Sequence, residues 1–447
     1  MILLIILINL LFYWRTLQYE GICDDIPVFN KDVQIPKGRF NFFWAHLHGH
    51  KYVSWKLAHC QTLGLHTINC ILIYIAFHNP WVALLFAVNP VNNQCSIWVS
   101  GKGYSQSTMC ALLMWIFPYY SIIPYLYATY FCGPAALLFP LMFLFTPYKW
   151  LALLVLLGIY REHSYIFSKK EDSKFNTESN DELKIIKLRK IIVALKSLGY
   201  YFVNTIITLR LGFYHKYLFL HGVSKETNKY SYRIDKYFFI GIALVLTTVY
   251  TRNIGLIWFC LTIAQWCNVI SFNQTITNRY IYLPNIGLTL FVSSLLLLYT
   301  PLAYMLFVYY AVLLIKFHIF YKSEYWSIEY ACFEQPEFFY PWQNRAVHCF
   351  QNVNYHGALN NMIKCNELRP NDWKITYNLC QIYMLLGNLQ ACKDWYKKAQ
   401  ECTIDGREEQ IKKLMERLGK WIESVENQAK TNDNKVNLDI RKFDLQR

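Results

Sequence analysis

The sequence predicts an all-α protein: a polytopic transmembrane helical bundle of roughly ten spans, followed by a short helical repeat domain. Three observations point there. Long apolar runs recur up to about residue 320, basic residues gather in the segments between them, and beyond residue 322 the chain turns polar and helix-patterned. The domains are therefore 1–322, in the membrane, and 323–447, outside it.

Of the 447 residues, 55% are hydrophobic, 18% aromatic and only 16% charged. Average soluble domains carry roughly 25% charged residues. The opening MILLIILINLLFYW reads as a short first span. It lacks a basic leading region and a small-residue cleavage site, so it is expected to be retained as a helix. ALLMWIFPYYSIIPYLYATYF, WLALLVLLGIY, YFFIGIALVLTTVY, IGLTLFVSSLLLLY and LAYMLFVYYAVLLI continue the series. A span needs about 20 apolar residues, which these reach with their aromatic flanks.

The net charge of +15 invites a nucleic-acid reading. Lys and Arg in short segments between spans instead fix topology, so no nucleic-acid partner is expected. The densest basic stretch, REHSYIFSKKEDSKFNTESNDELKIIKLRKIIVALK, is expected to be a cytoplasmic loop. Arg15 argues weakly against an external first loop. The 14 cysteines include no CxxC pair. Cys70, Cys110, Cys132 and Cys260 fall inside apolar runs as small buried residues, so no metal site is expected.

In the tail, ITYNLCQIYMLLGNLQACKDWYKKAQECTID has the layout of a tetratricopeptide repeat. Leu379, Cys380, Tyr383, Cys392, Tyr396 and Ala399 fall at its large and small positions. Upstream, Ala358, Met362 and Cys365 precede Cys392, Tyr396 and Ala399 by the usual period of about 34 residues. Ile411, Leu414, Met415, Leu418, Trp421, Ile422 and Val425 follow the spacing of a capping helix. The alternative is an unrelated bundle of helical hairpins. Either way the tail is a docking surface for a protein. Cys380 and Cys392 read as small buried residues, or as a disulfide pair should the tail lie in an oxidising compartment.

Candidate site residues lie in the membrane part. Asp24 and Asp25 in EGICDDIPVF form either a solvated loop end or a carboxylate pair at the membrane face. His66 and Asn69 share one helical face and suit an interhelical hydrogen-bonding pair. Arg279, with Tyr280 and Tyr282 in NRYIYLP, either snorkels to lipid headgroups or grips a phosphate through two hydrogen bonds at once.

These stretches, in this order, resemble the GT-C class of membrane glycosyltransferases, and most closely the transmembrane-and-tetratricopeptide O-mannosyltransferases with their bacterial relatives. The resemblance rests on DDIPVFNKDV (Asp24, Asp25, Asn30, Asp32), GLHTIN (Gly64, His66, Asn69), LFAVNP, RYIYLPNIG (Arg279 to Gly287) and LGFYHKY, with the repeats continuing it. It implies transfer of a sugar, expected to be mannose, from a polyprenyl-phosphate donor to a protein hydroxyl, without a cofactor. Asp24 or Asp25 would be the base, and Arg279 with Tyr280 and Tyr282 would bind the donor phosphate. His66, Asn69, Gln94, Arg161 and Glu162 complete the implied site. The partners implied are the lipid bilayer, the donor and a protein acceptor. The implied setting is a multi-pass protein of the endoplasmic-reticulum membrane in a eukaryote or the plasma membrane in a prokaryote, its active face extracytosolic. Two carboxylates of the family pattern are replaced here by Gln94 and Tyr104, and its Lys-Glu appears only as Arg161-Glu162. A degenerate GT-C-like scaffold within a larger membrane complex is therefore the second reading.

Overall fold

The computed structural model describes residues 1–22, 25, 54–132, 134–160, 180–208, 211, 234–267, 276–296, 299–370, 372–402 and 408–430. These residues are predominantly helical, with no strand among them. They fall into two compact units, one reaching Ser327 and the other starting at Ile328.

The first unit contains α1 (Ile2–Tyr13), α2 (Trp55–Phe77), α3 (Pro80–Val88), α4 (Asn93–Ser96), α5 (Lys102–Ile116), α6 (Ile122–Phe131), α7 (Asn180–Ile207), α8 (Lys236–Thr251), α9 (Ile254–Ala264), α10 (Tyr282–Leu296) and α11 (Thr300–His318). Its core gathers Ile5, Ile73, Phe86, Met114, Phe139, Trp258 and Ile286, all at or near zero exposure. Some buried polar groups are satisfied across helices. Tyr13 donates to the carbonyl of Ala87 at 3.1 Å, and Trp258 Nε1 donates to that of Leu283 at 3.1 Å. The α9 and α10 backbones meet at Gly255 and Gly287. A Cβ on either would collide with the other's carbonyl oxygen, which is the small-residue crossing that brings membrane helices close.

The expectation of roughly ten spans is corrected. Among the described residues three helical segments are long and apolar enough to cross a membrane: Trp55–Phe77, Lys190–Ile207 and Thr300–Tyr321. Backbone chemistry shortens the other runs. ALLMWIFPYYSIIPYLYATYF is broken where Pro118 opens a 3₁₀ turn after α5, because proline lacks an N–H and bars helix at the residue before it. α8 stops at Arg252, whose φ of 51° is left-handed. At 16 residues and about 1.5 Å per residue, it falls short of the roughly 30 Å hydrocarbon core. α1, at 12 residues, is shorter still.

Part of the segment read as a basic loop is instead helix, for α7 begins at Asn180. Lys196 would be costly on such a helix in isolation. It is buried and meets Asp235 at 3.2 Å, and Asp235 also caps α8 by accepting from the N–H groups of Tyr237 and Phe238.

The second unit is built of helical hairpins: α12 (Phe339–Gln351) with α13 (Tyr355–Leu368), and α14 (Trp373–Leu385) with α15 (Leu389–Glu401), followed by α16 (Glu408–Lys430). Asn354, Asp372 and Asn388 cap α13, α14 and α15 through their side-chain oxygens. One core joins Ala346, Ala358, Met362, Cys365, Ile375 and Leu379. Another joins Cys380, Cys392, Ala399, Met415, Leu418 and Ile422.

Candidate functional site

The site candidates that the structure brings together converge on one short segment, Trp98 to Ser100, between α4 and α5. Asp25 reaches it from the stretch that follows α1 and the 3₁₀ turn Trp14–Gln18. Its carboxylate is fully buried. Oδ1 accepts from the Ser100 N–H at 2.9 Å and from the Ser100 hydroxyl, and Oδ2 accepts from the Ile22 N–H at 3.3 Å. Lys102, at the start of α5, supplies a neighbouring positive charge. It is buried, with Nζ donating to Gln61 Oε1 at 3.0 Å. Burial pushes its ammonium down to about 7, and the charge of Asp25 opposes that shift.

Arg279 approaches the same segment from the 3₁₀ turn Asn278–Ile281. The centre of its guanidinium lies 5.4 Å from the Trp98 ring, 5.4 Å from the Tyr280 ring and 5.9 Å from the Tyr104 ring. These are cation–π distances. Tyr280 is held in turn by stacking on Trp266, with centroids 4.0 Å apart and planes at 8°. Trp98 joins the two halves, because its Nε1 donates to the Ile22 carbonyl at 3.2 Å while its ring lies beside Arg279. Among the described residues no carboxylate forms an ion pair with Arg279.

Gln94 fixes the Arg279 turn. Its Oε1 accepts from the Thr277 hydroxyl and from the Arg279 N–H, each at 2.8 Å. From α7, Tyr201 OH accepts from the Thr277 N–H at 3.4 Å, and Asn204 Nδ2 donates to Asn278 Oδ1 at 3.2 Å. The Gln94 Nε2 group is buried without a hydrogen-bond partner among the described residues. Gly101 is required on the opposite side, since any Cβ there would collide with the Gln94 carbonyl oxygen. Amide and turn are thus packed as one piece.

His66, Asn69 and Tyr282 form a separate buried network. Tyr282 donates to His66 Nδ1 at 2.6 Å, while His66 Nε2 donates to the Ala87 carbonyl at 3.2 Å. Only the tautomer protonated at Nε2 satisfies both contacts. Asn69 Nδ2 donates to the Ser105 carbonyl at 2.8 Å and reaches the Tyr282 hydroxyl at 3.4 Å. These three residues tie α2 to α5 and α10. The Tyr282 hydroxyl is engaged there, away from the cage of Trp98, Tyr104 and Tyr280 around Arg279.

Asp24, Arg161 and Glu162 lie outside the described residues. Sequence reasoning missed Trp98, Ser100 and Lys102 as contributors. The only signal was their place in the polar, Gly-containing stretch SIWVSGKGY. Thr277, the other partner of Gln94, gave no signal at all.

Chemically, an arginine in an aromatic cage, with no carboxylate paired to it among the described residues, suits an oxyanion, above all a phosphate. Asp25, with both oxygens already accepting hydrogen bonds, suits a fixed anchor. Comparison with known proteins finds no matching family model, no matching curated protein and no matching solved structure.

Proposed function

We propose that this protein is a multi-pass membrane glycosyltransferase that moves a sugar, mannose by resemblance, from a polyprenyl-phosphate donor to a protein hydroxyl. The observation that carries the reading is the Arg279 guanidinium, caged by Trp98, Tyr104 and Tyr280 beside the same Trp98–Ser100 segment that anchors Asp25, with no carboxylate ion-paired to it among the described residues. In the reaction the acceptor oxygen attacks the anomeric carbon as the sugar–phosphate bond breaks. The hydroxyl proton passes to a carboxylate. The polyprenyl phosphate leaves with an added negative charge, which Arg279 offsets. The anchoring of Asp25 makes it the positioning member of the pair and leaves Asp24 as the base. The helical hairpins of the second unit, taken as tetratricopeptide repeats, hold the acceptor. Exposed apolar side chains on α11 (Leu302, Met305, Val308, Val312 and Ile315) support a bilayer setting, in the endoplasmic-reticulum or plasma membrane with the site facing away from the cytosol.

The test is transfer of radiolabelled mannose from polyprenyl-phosphate mannose to Ser/Thr peptides by the purified full-length protein. Asp24→Asn should abolish transfer and keep donor affinity. Arg279→Ala should weaken donor binding tenfold or more, and Arg279→Lys less, because charge survives but bidentate geometry does not. Wild-type transfer by Asp24→Asn would remove that residue as base.

One observation favours a second reading, a membrane scaffold that keeps the fold without the chemistry. Gln94 is a neutral amide with a stranded N–H, where the resembled family carries a carboxylate. Donor binding without transfer to any acceptor would select the scaffold.

A further inference from the structure

Cys380 on α14 and Cys392 on α15 are both fully buried, and their sulfurs lie 3.2 Å apart. Non-bonded carbon atoms rest at about 3.5–4.0 Å, so two larger sulfur atoms at this separation touch more closely than packing alone would set. The residues sit on the two arms of one hairpin whose turn is only Leu386 to Asn388. No other cysteine pair among the described residues shares a hydrogen bond.

We propose that Cys380 and Cys392 are a disulfide-forming pair that closes the α14–α15 hairpin on meeting a low-molecular-weight disulfide such as oxidised glutathione. One cysteine loses its proton, and its sulfur displaces a glutathione thiolate to give a mixed disulfide. The second cysteine, deprotonated in turn, attacks the protein sulfur of that bond and releases the second glutathione. Two protein thiols are oxidised, one glutathione disulfide is reduced to two thiols, and the two protons pass to the departing thiolates.

Both sulfurs are shielded, so attack requires the hairpin to open locally. The hydrogen bond shared with Cys392, reinforced by burial, pushes the Cys380 thiol up from its usual range. Closure is accordingly slow at neutral pH and faster in mildly alkaline solution. Once formed, the bond adds a covalent link between two packed helices and raises the resistance of the hairpin to opening. The pair lies in the second unit, and its chemistry stands whether or not the protein transfers a sugar.

The experiment uses the full-length protein in detergent, incubated with oxidised glutathione at pH 8. It is then denatured without reductant, labelled with a maleimide, and digested for mass spectrometry. The expected result is one joined peptide pair containing Cys380 and Cys392, two hydrogens lighter than the free peptides. Reduction should separate the pair and expose both thiols to label, with the exposed Cys60 as the labelling control in that arm. Cys380→Ser should leave Cys392 unjoined, and Cys392→Ser the reverse. Should either variant fold poorly, the wild-type peptide pair still decides the matter. Label on both cysteines after oxidised glutathione, or joining of either to another cysteine, would overturn the proposal. Recovery of the joined pair directly from native membranes would support it and place the tail in an oxidising compartment.

Discussion

Gln94 illustrates how much rests on single side chains here. Its one carbonyl oxygen holds the Thr277 hydroxyl and the Arg279 N–H, while its amide nitrogen holds nothing among the described residues. A buried donor left without a partner costs about 1–3 kcal/mol, and the position tolerates that cost while keeping Arg279 in place. Lys102 carries a cost of a different kind, and its effect is readable by titration. Its folded-state ammonium is lowered to about 7 from 10.5. Below pH 7 the lysine is charged whether folded or unfolded, and the burial penalty is constant. From about 7 to 10.5 the unfolded chain holds a proton that the folded chain does not, so stability gains as pH rises. The difference in unfolding free energy between wild type and Lys102→Met should climb across that window by up to ~1.4 kcal/mol per pH unit. A flat difference from pH 7 to 10 would show that the ammonium is not depressed. Arg279 was legible in the sequence, because an arginine among tyrosines ahead of a proline stands out. The anchoring of Asp25 was not, because its partner Ser100 lies 75 residues away and serines carry no local signature.

At the scale of elements, composition and backbone chemistry gave different answers, and the difference is physical. Apolar content marks what can enter a bilayer. Helix length is set by breakers such as Pro118 and by left-handed stops such as Arg252. Lys190–Ile207 shows the opposite error: two lysines disguised a helix that is apolar enough to cross. The charge of Lys196 is matched by Asp235 on the neighbouring segment, a pairing that no local window reveals. In the tail, the spacing of Ala358, Met362, Cys365, Leu379, Cys392 and Ala399 was readable, and each of these side chains is buried. The α9–α10 crossing offers a direct test of close helix approach. Gly287→Ala should cost roughly 1–3 kcal/mol, the usual range for overpacking, because the new methyl meets backbone rather than a flexible side chain. Thermal unfolding of the detergent-solubilised protein reads this, and a midpoint equal to that of the wild type would mean that the helices part freely.

For the molecule as a whole, the exposed apolar faces and the three long helices make a physical demand on the surroundings. Leu3, Leu11, Leu246, Val249 and Met305 are each more than 60% exposed. Large apolar side chains this exposed on helices of this composition are accounted for by a hydrocarbon surrounding. The protein should stay with the membrane pellet through an alkaline carbonate wash and leave it only with detergent. Release by carbonate alone would reduce it to a peripheral protein.

The indole of Trp98 has one further consequence. Its N–H holds the segment leading to Asp25, and its face meets Arg279. Whatever settles on the guanidinium therefore presses on a lever whose other end fixes the carboxylate. Coupling between two sites is reciprocal. If the proposed donor reading holds, Asp25→Asn should shift the affinity for a polyprenyl phosphate by severalfold. Identical binding isotherms for the variant and the wild type would mean that the lever is slack.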